Sequence, residues 1–445
     1  MSSRTPLREE FKKLILLAIP LSIAQGGNAL MGLVDFAVVG RLGPTQLAGG
    51  GLGNGVFFAV SILGIGVVMG TDPLTSQAVG AGDLPGARGW LWQSVAVALV
   101  TALLLCVPLS LLPLSLRHTQ IPPAVVKEAA KFILWRIPGI FPLLIFCSQR
   151  AYLQAVSLER ALIGMTLLAI GVNFLLDLLL VFGGLGIPPL GVPGAAIATD
   201  LCSFAEVAYL GWVIARLRIP KLQSRKPQWT KLRQILKVGV PVGLHLFLES
   251  AIFTCAGVLA ARFGSVPGAA HQIALAFSSV SFTVALGIGT AGSVRVGYAV
   301  GAGDTVALRR SGFTALAAGV SFMACSAAVF ALLPRMLAGW MTNDAQVIAV
   351  AVPLMLPAAV FQISDGAQGI GAGILRGAGD SRYTFWANAV GHYGIGLPLT
   401  FYLGISRGLG VVGVWWGLCA GLTVVALLLL LRFARISARP VRRLA

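Results

Sequence analysis

The sequence predicts an all-α polytopic membrane protein with twelve transmembrane helices in two six-helix bundles related as parallel repeats. Three observations carry that prediction. Hydrophobic residues fill 57% of the 445 positions and charged residues 11%, with a mean hydropathy of +0.88; a soluble domain of this length has no interior large enough for so much apolar surface. The apolar residues fall in runs, most of them long enough for a span of about 20 helical residues. The second half of the chain repeats landmarks of the first. Alternating strands of an outer-membrane barrel are absent, which leaves helices as the way to satisfy the backbone in lipid.

The elements follow in order. A polar, basic start from Met1 to Lys13 leads into a first apolar run near 14–39, which has no Ala-x-Ala-like exit and reads as a signal anchor rather than a cleaved leader. Pro20, Gly26 and Gly27 would let this span bend. Runs near 46–71, 89–112, 131–155, 161–183 and 192–216 complete six spans. Glycine strings such as Gly64-Ile-Gly66-Val-Val-Met-Gly70 lie inside these runs, lack a strand–turn–helix setting and are followed by no Walker lysine, so they read as close helix packing rather than nucleotide loops. A basic stretch, 216–237, forms the expected linker between an amino-terminal lobe, 1–215, and a carboxy-terminal lobe, 238–445. Runs near 237–262, 268–296, 311–334, 346–372, 381–404 and 410–432 supply the second six.

The repeat is read from landmarks. One shift carries Pro20 onto Pro241, Arg41-Leu42-Gly43 onto Arg262-Phe263-Gly264, and Ala78-Val79-Gly80-Ala81-Gly82-Asp83 onto Ala299-Val300-Gly301-Ala302-Gly303-Asp304. A nearly equal shift matches Gly191, Val192 and Gly194 to Gly410, Val411 and Gly413. An even number of spans per half makes both halves enter from the same side, which is a parallel repeat about an axis along the membrane normal.

The net charge of +18 comes from 33 Lys/Arg against 15 Asp/Glu. It concentrates in alternate loops and tails, above all in Arg216, Arg218, Lys221, Arg225, Lys226, Lys231, Arg233 and Lys237. That is the positive-inside pattern with both termini cytoplasmic, as in an inner (plasma) membrane of bacterial type, and it argues against a nucleic-acid partner. Arg295 stands apart, inside a span. The six cysteines lie in spans without CxxC spacing and read as small packing residues.

Six carboxylates also lie inside apolar runs: Asp35, Asp177, Asp200, Glu206, Glu249 and Asp365. An acid at the bilayer centre costs roughly 2.5–3.5 kcal/mol on insertion scales, and such groups face wet cavities or partners and mark ion or substrate pathways. Packing residues should recur in both halves, yet Asp35 corresponds to Ala256 and Glu249 to Asn28. The scaffold is duplicated and the charges are not, so the acids read as functional and the chain as a transporter. Asn173 and Asp177, at i and i+4, share one helix face. With Asp35 and Thr199 they fall in the outer half of the membrane, and their hard oxygens suit a sodium-like cation or a proton relay equally well. An interhelical hydrogen bond is the alternative for the Asn173/Asp177 pair. His245 precedes Glu249 by one turn. Glu206 lies two turns beyond Thr199 on nearly the same face; Asp200 is rotated about 100° from Thr199 and has no partner legible in the sequence. His271 and His392 read as buried hydrogen-bonded groups.

The segments Ala18-Ile19-Pro20, Gly32-Leu33-Val34-Asp35-Phe36-Ala37-Val38-Val39-Gly40, Ser76-Gln77-Ala78-Val79-Gly80-Ala81-Gly82 and Ala270-His271-Gln272-Ile273, in this order and spread from about residue 10 to 432, resemble the multidrug and toxic compound extrusion (MATE) family, NorM-like branch. The resemblance implies coupling-ion chemistry at Asp35, Asn173, Asp177 and Thr199, with these four as the ligands of a sodium ion if sodium is the ion. It implies further acidic positions at Glu249 and Asp365, associated with sodium and cationic substrate. Where that branch commonly has a tyrosine, four residues before the second acid, this chain has Phe361, so one hydroxyl ligand is missing. Contact with substrate is expected at Asp35, Glu249, Asp365 and Phe361.

The expectation is a secondary active antiporter, with no cofactor beyond Na+ or H+ as coupling ion, that exports organic cations by alternating access and works as a monomer in the bilayer. A lipid-linked precursor flippase is the runner-up, but such proteins are expected to carry cavity arginines and often a further pair of spans. A membrane-embedded enzyme lacks support, since no HExxH or Ser/His pair is present. A gated channel would differ by showing no exchange.

Overall fold

A computed structural model describes residues 7–116, 121–217, 225–440 and 443–444, apart from the side chains of Leu7, Asn28, Ala29 and Glu159. The described residues are helical almost throughout and hold no β-sheet, only an isolated bridge between Gly184 and Ile187. The helices are α1 (Leu7–Gly40), α2 (Pro44–Val68), α3 (Thr71–Gly80), α4 (Leu84–Leu116), α5 (Pro123–Arg136), α6 (Ile140–Ala155), α7 (Glu159–Phe182), α8 (Val192–Arg216), α9 (Trp229–Arg262), α10 (Ser265–Ala302), α11 (Thr305–Leu332), α12 (Pro334–Met341), α13 (Ala345–Gly377), α14 (Ser381–Asn388), α15 (Leu397–Phe401) and α16 (Gly410–Ser437). Among the described residues, 11 helical stretches are long and apolar enough to cross a membrane. The remaining expected span, 381–404, is helical as well but broken in type: α14, a π-helical turn at Ala389–Gly396, α15, and a second π turn at Tyr402–Ser406. Pro398 has no N–H to continue an i→i−4 ladder, and the Leu397 N–H reaches back five residues to the carbonyl of His392.

Many large apolar side chains point outward. On α4 they form a stripe at Leu99, Val100, Leu103, Leu104, Val107 and Leu111. A patch of that kind marks an aggregation liability in water and an ordinary surface in hydrocarbon.

The repeat is visible in the backbone. Gly43 and Gly264 precede α2 and α10 with φ of 127° and 121°, and Gly82 and Gly303 precede α4 and α11 with φ of 79° and 72°. Both values fall where a side chain is strained, so glycine is required at each turn. The residues that follow also act alike. Asp83 Oδ1 accepts from the Gly86 N–H and Asp304 Oδ1 from the Ala307 N–H, each at 2.8 Å.

The chain divides into two compact units, one of Ile23–Gly243 and one that joins the residues up to Ser22 with Leu244–Ala445. The division falls inside α1 and inside α9, at the residue pair that the repeat aligns (Ser22 with Gly243), so each unit contains the opening turns of the other repeat's first helix. In the Ile23–Gly243 unit, Gly239 and Gly243 of α9 meet Gly66 and Gly70 of α2 and the turn after it, backbone to backbone: a Cβ at Gly66 would strike the backbone of Val242 and Gly243, and one at Gly243 would lie 2.6 Å from the carbonyl of Leu63. Both stretches read G-x-x-x-G, the spacing that lets two helices approach this closely. In the other unit, Ser22 of α1 occupies the matching place. Its Oγ lies 3.3 Å from the carbonyl of Val284, and a Cβ at Gly287 would run into it.

Lower on α1, Glu10 is buried, with 3% of its surface exposed. Arg295 of α10 grips it with a fork, Nε to Oε1 at 2.6 Å and Nη2 to Oε2 at 2.5 Å, and Ser311 Oγ of α11 donates to Oε1 at 2.6 Å. The arginine singled out in the sequence as lying within a span therefore has a carboxylate partner 285 positions away.

Candidate cation sites

In the Ile23–Gly243 unit, α7 places Asn173 and Asp177 one turn apart, and both side chains are fully buried. Asn173 Nδ2 donates to Asp35 Oδ1 of α1 and, at 3.1 Å, to Asp177 Oδ2. Thr199 of α8 brings its Oγ1 within 3.2 Å of Asp35 Oδ2 and 2.9 Å of the Ala195 carbonyl. Three helices thus converge on one amide and two carboxyls, and all four expected residues meet. Two oxygens of the cluster, Asn173 Oδ1 and Asp177 Oδ1, are buried without a hydrogen-bond partner. An acceptor held this way costs about 1–3 kcal/mol, and more if charged, until something fills it; a proton or a small hard cation is what carboxylate and amide oxygens accept best.

Asp200, beside Thr199, is buried against Arg136 of α5, whose Nη1 donates to its Oδ1, and against the backbone of Gly139. The guanidinium also stands 4.8 Å from the centre of the Phe57 ring, a cation–π contact. Sequence reasoning missed this arginine. It ends a short helix next to a 3₁₀ turn at Ile137–Gly139, and nothing in the spacing of two residues 64 positions apart announces a pair.

In the other unit, Glu249 of α9 and Asp365 of α13 interact electrostatically, and Glu249 meets the Gln368 side chain one turn beyond Asp365. Gln368 Nε2 also lies 3.4 Å from Asn388 Oδ1. Phe361 stands on the same helix, but only 2% of its surface is exposed. Its ring meets Phe253 and Trp415 edge-on at 5.9 and 5.4 Å between centroids, inside the aromatic core rather than on an open wall. His271 accepts at Nδ1 from Trp415 Nε1 at 3.1 Å, as a buried histidine should. His392 is also buried, but neither ring nitrogen has a hydrogen-bond partner, so the expectation of a hydrogen-bonded group holds for the first histidine and not the second.

The MatE family model matches the chain twice, over residues 20–179 and 241–402. The chain belongs to the MatE family. The two matches begin at the Pro20 and Pro241 that the internal repeat aligns, so this MatE chain carries one family unit per half. Similar curated proteins include the multidrug resistance protein NorM of Burkholderia vietnamiensis, 36% identical over 94% of this chain and 92% of the relative. The multidrug resistance protein MdtK of Edwardsiella ictaluri is 31% identical over 97% and 96%. Among solved structures, the eukaryotic MATE transporter AtDTX14 superposes with a TM-score of 0.86 at 20% identity, covering 97% of this chain and 98% of that one. A MOP superfamily transporter from Pyrococcus furiosus gives 0.88 at 22%, with 96% of each chain covered. These neighbours share the fold of the MatE chain.

Proposed function

We propose that the protein is a multidrug efflux antiporter that exports organic cations in exchange for Na+ or H+ by alternating access. The observation that carries this reading is the buried cluster of Asp35, Asn173, Asp177 and Thr199, with two acceptor oxygens left unpaired. The names of the NorM and MdtK relatives support the multidrug part of it. In the proposed cycle a coupling ion binds the Asp35 cluster, or Glu249 with Asp365, and stabilises the state that releases substrate outward; a cationic substrate competes for the same carboxylates from inside. Exchange follows because the two ligands favour different states of one scaffold. We place the protein in an inner membrane with both termini cytoplasmic, as a monomer that needs no cofactor.

Ethidium efflux from whole cells, under sodium and pH gradients imposed separately, tests the reading. Wild type should respond to one gradient, and Asp35→Asn and Glu249→Gln should each lose at least tenfold in rate at normal expression. Unchanged efflux in both variants would remove these carboxylates from coupling.

A further inference from the structure

Glu206 takes no part in the cluster around Asp35, yet the fold keeps it in the same unit at some cost. Thr199, Ser203 and Glu206 lie at i, i+4 and i+7 on α8, along one face, and Ser203 Oγ donates to the Thr199 carbonyl at 2.9 Å. About 10 Å of helix separates Thr199 from Glu206, in the direction of Arg216. Glu206 is 8% exposed and its Oε1 has no hydrogen-bond partner.

The helix packed against this stretch, α6, presents a second unspent oxygen. Gln149 is also 8% exposed; its Nε2 donates to the carbonyl of Val207, the residue after Glu206, at 3.2 Å, and its Oε1 is unpartnered. Two nine-tenths-buried side chains on facing helices therefore each hold an acceptor oxygen that no donor meets. The ionised groups that bear on Glu206 are Arg136 of α5 and Arg150 of α6. Arg136 is engaged with Asp200, and the thiols of Cys147 on α6 and Cys202 on α8 complete the neighbourhood. A buried carboxyl oxygen without a donor is a standing penalty, and what relieves it here is a proton or a small monovalent cation.

We propose that Glu206 and Gln149 form a second station for the coupling cation, one step along α8 from the Asp35 cluster, so that the ion moves between two oxygen sites within this unit. The inference rests on the antiporter reading above and adds a residue pair to it. Its geometry is a single helix face whose first residue touches Asp35 and whose last holds the unpaired carboxyl.

The full-length protein, reconstituted in lipid, can be followed by infrared difference spectroscopy on a pH step and on exchange of sodium-free for sodium buffer. A carboxyl or carboxylate band should appear in wild type on one of the two changes, vanish in Glu206→Gln and shift in Glu206→Asp. Which change evokes the band separates proton from sodium. In ethidium transport, Glu206→Gln should slow gradient-driven flux at least tenfold while ethidium affinity stays within threefold. Gln149→Leu, which touches no charge, should slow it severalfold. Asp35→Asn and Glu249→Gln keep the two readings apart: if both drive transport like wild type, the carboxylate coupling of the antiporter reading fails, whatever Glu206 does. Difference spectra of Glu206→Gln identical to those of wild type would overturn the second station, as would loss of affinity in step with rate.

Discussion

At the residue scale, the buried charges decide what each position tolerates. Asp200 and Arg136 neutralise one another inside the Ile23–Gly243 unit. Removing one partner of such a pair strands a charge and costs about 3–5 kcal/mol, whereas replacing both by apolar side chains of similar volume is often close to neutral. Asp200→Ala should therefore lower the melting temperature in detergent clearly, and the double change Arg136→Met with Asp200→Leu should recover most of the loss; equal melting of the single and double variants would contradict the pairing. The candidate site was legible only in part. Asn173 and Asp177 announce themselves by their spacing on one helix, but Asp35, 138 positions from Asn173, joined them through a shared depth in the membrane and a family resemblance, not through spacing. Arg136 had no such guide: it lies near the start of the expected 131–155 run, and nothing in its spacing points to Asp200.

At the element scale, apolar runs located the spans well, since each run forces its backbone to bond internally. The helices run further than the runs do: α1 begins at Leu7 and α10 continues to Ala302. Polar end residues leave the apolar pattern without leaving the helix. The stretch Ser381–Ser406 was legible as a span but not as a helix of mixed type, because the π turns depend on Pro398 and on packing against α16. There Gly417 and Gly421 let the backbones touch; a Cβ at Gly421 would lie 2.7 Å from the Gly391 carbonyl. The opening of α1 is pinned by the Glu10 fork. Arg295→Lys keeps the charge but loses the planar two-point grip, and Glu10→Ala leaves the guanidinium buried and alone. The melting temperature should fall in the order wild type, Arg295→Lys, Glu10→Ala; a Glu10→Ala protein as stable as wild type would mean the fork contributes nothing.

At the scale of the whole molecule, the repeat predicts paired behaviour. Gly66 and Gly287 occupy matching positions and each faces the backbone of an incoming first helix. Alanine at either should reduce the yield of monodisperse protein in size-exclusion chromatography. Alanine at Gly55 or Gly171, where a Cβ would meet nothing within 4 Å, should leave the yield unchanged or raise it. Parallel losses at Gly66 and Gly287 would support equivalent roles, and a loss at only one would break the symmetry argument. The two halves were legible as a sequence repeat. Their exchange of opening turns was not, because it is written in contacts between residues such as Ser22 and Val284 that no local pattern connects.

That exchange imposes an order on biosynthesis. Glu10 is synthesised well before its guanidinium partner, which is made 285 residues later. At elongation rates of roughly 5–20 residues per second, the start of α1 must wait tens of seconds with its carboxylate unanswered. The turns of α9 that complete the Ile23–Gly243 unit arrive first, so that unit can close while the other is still being made. The opening of α1, made ahead of the rest of both units, is then among the last segments to dock.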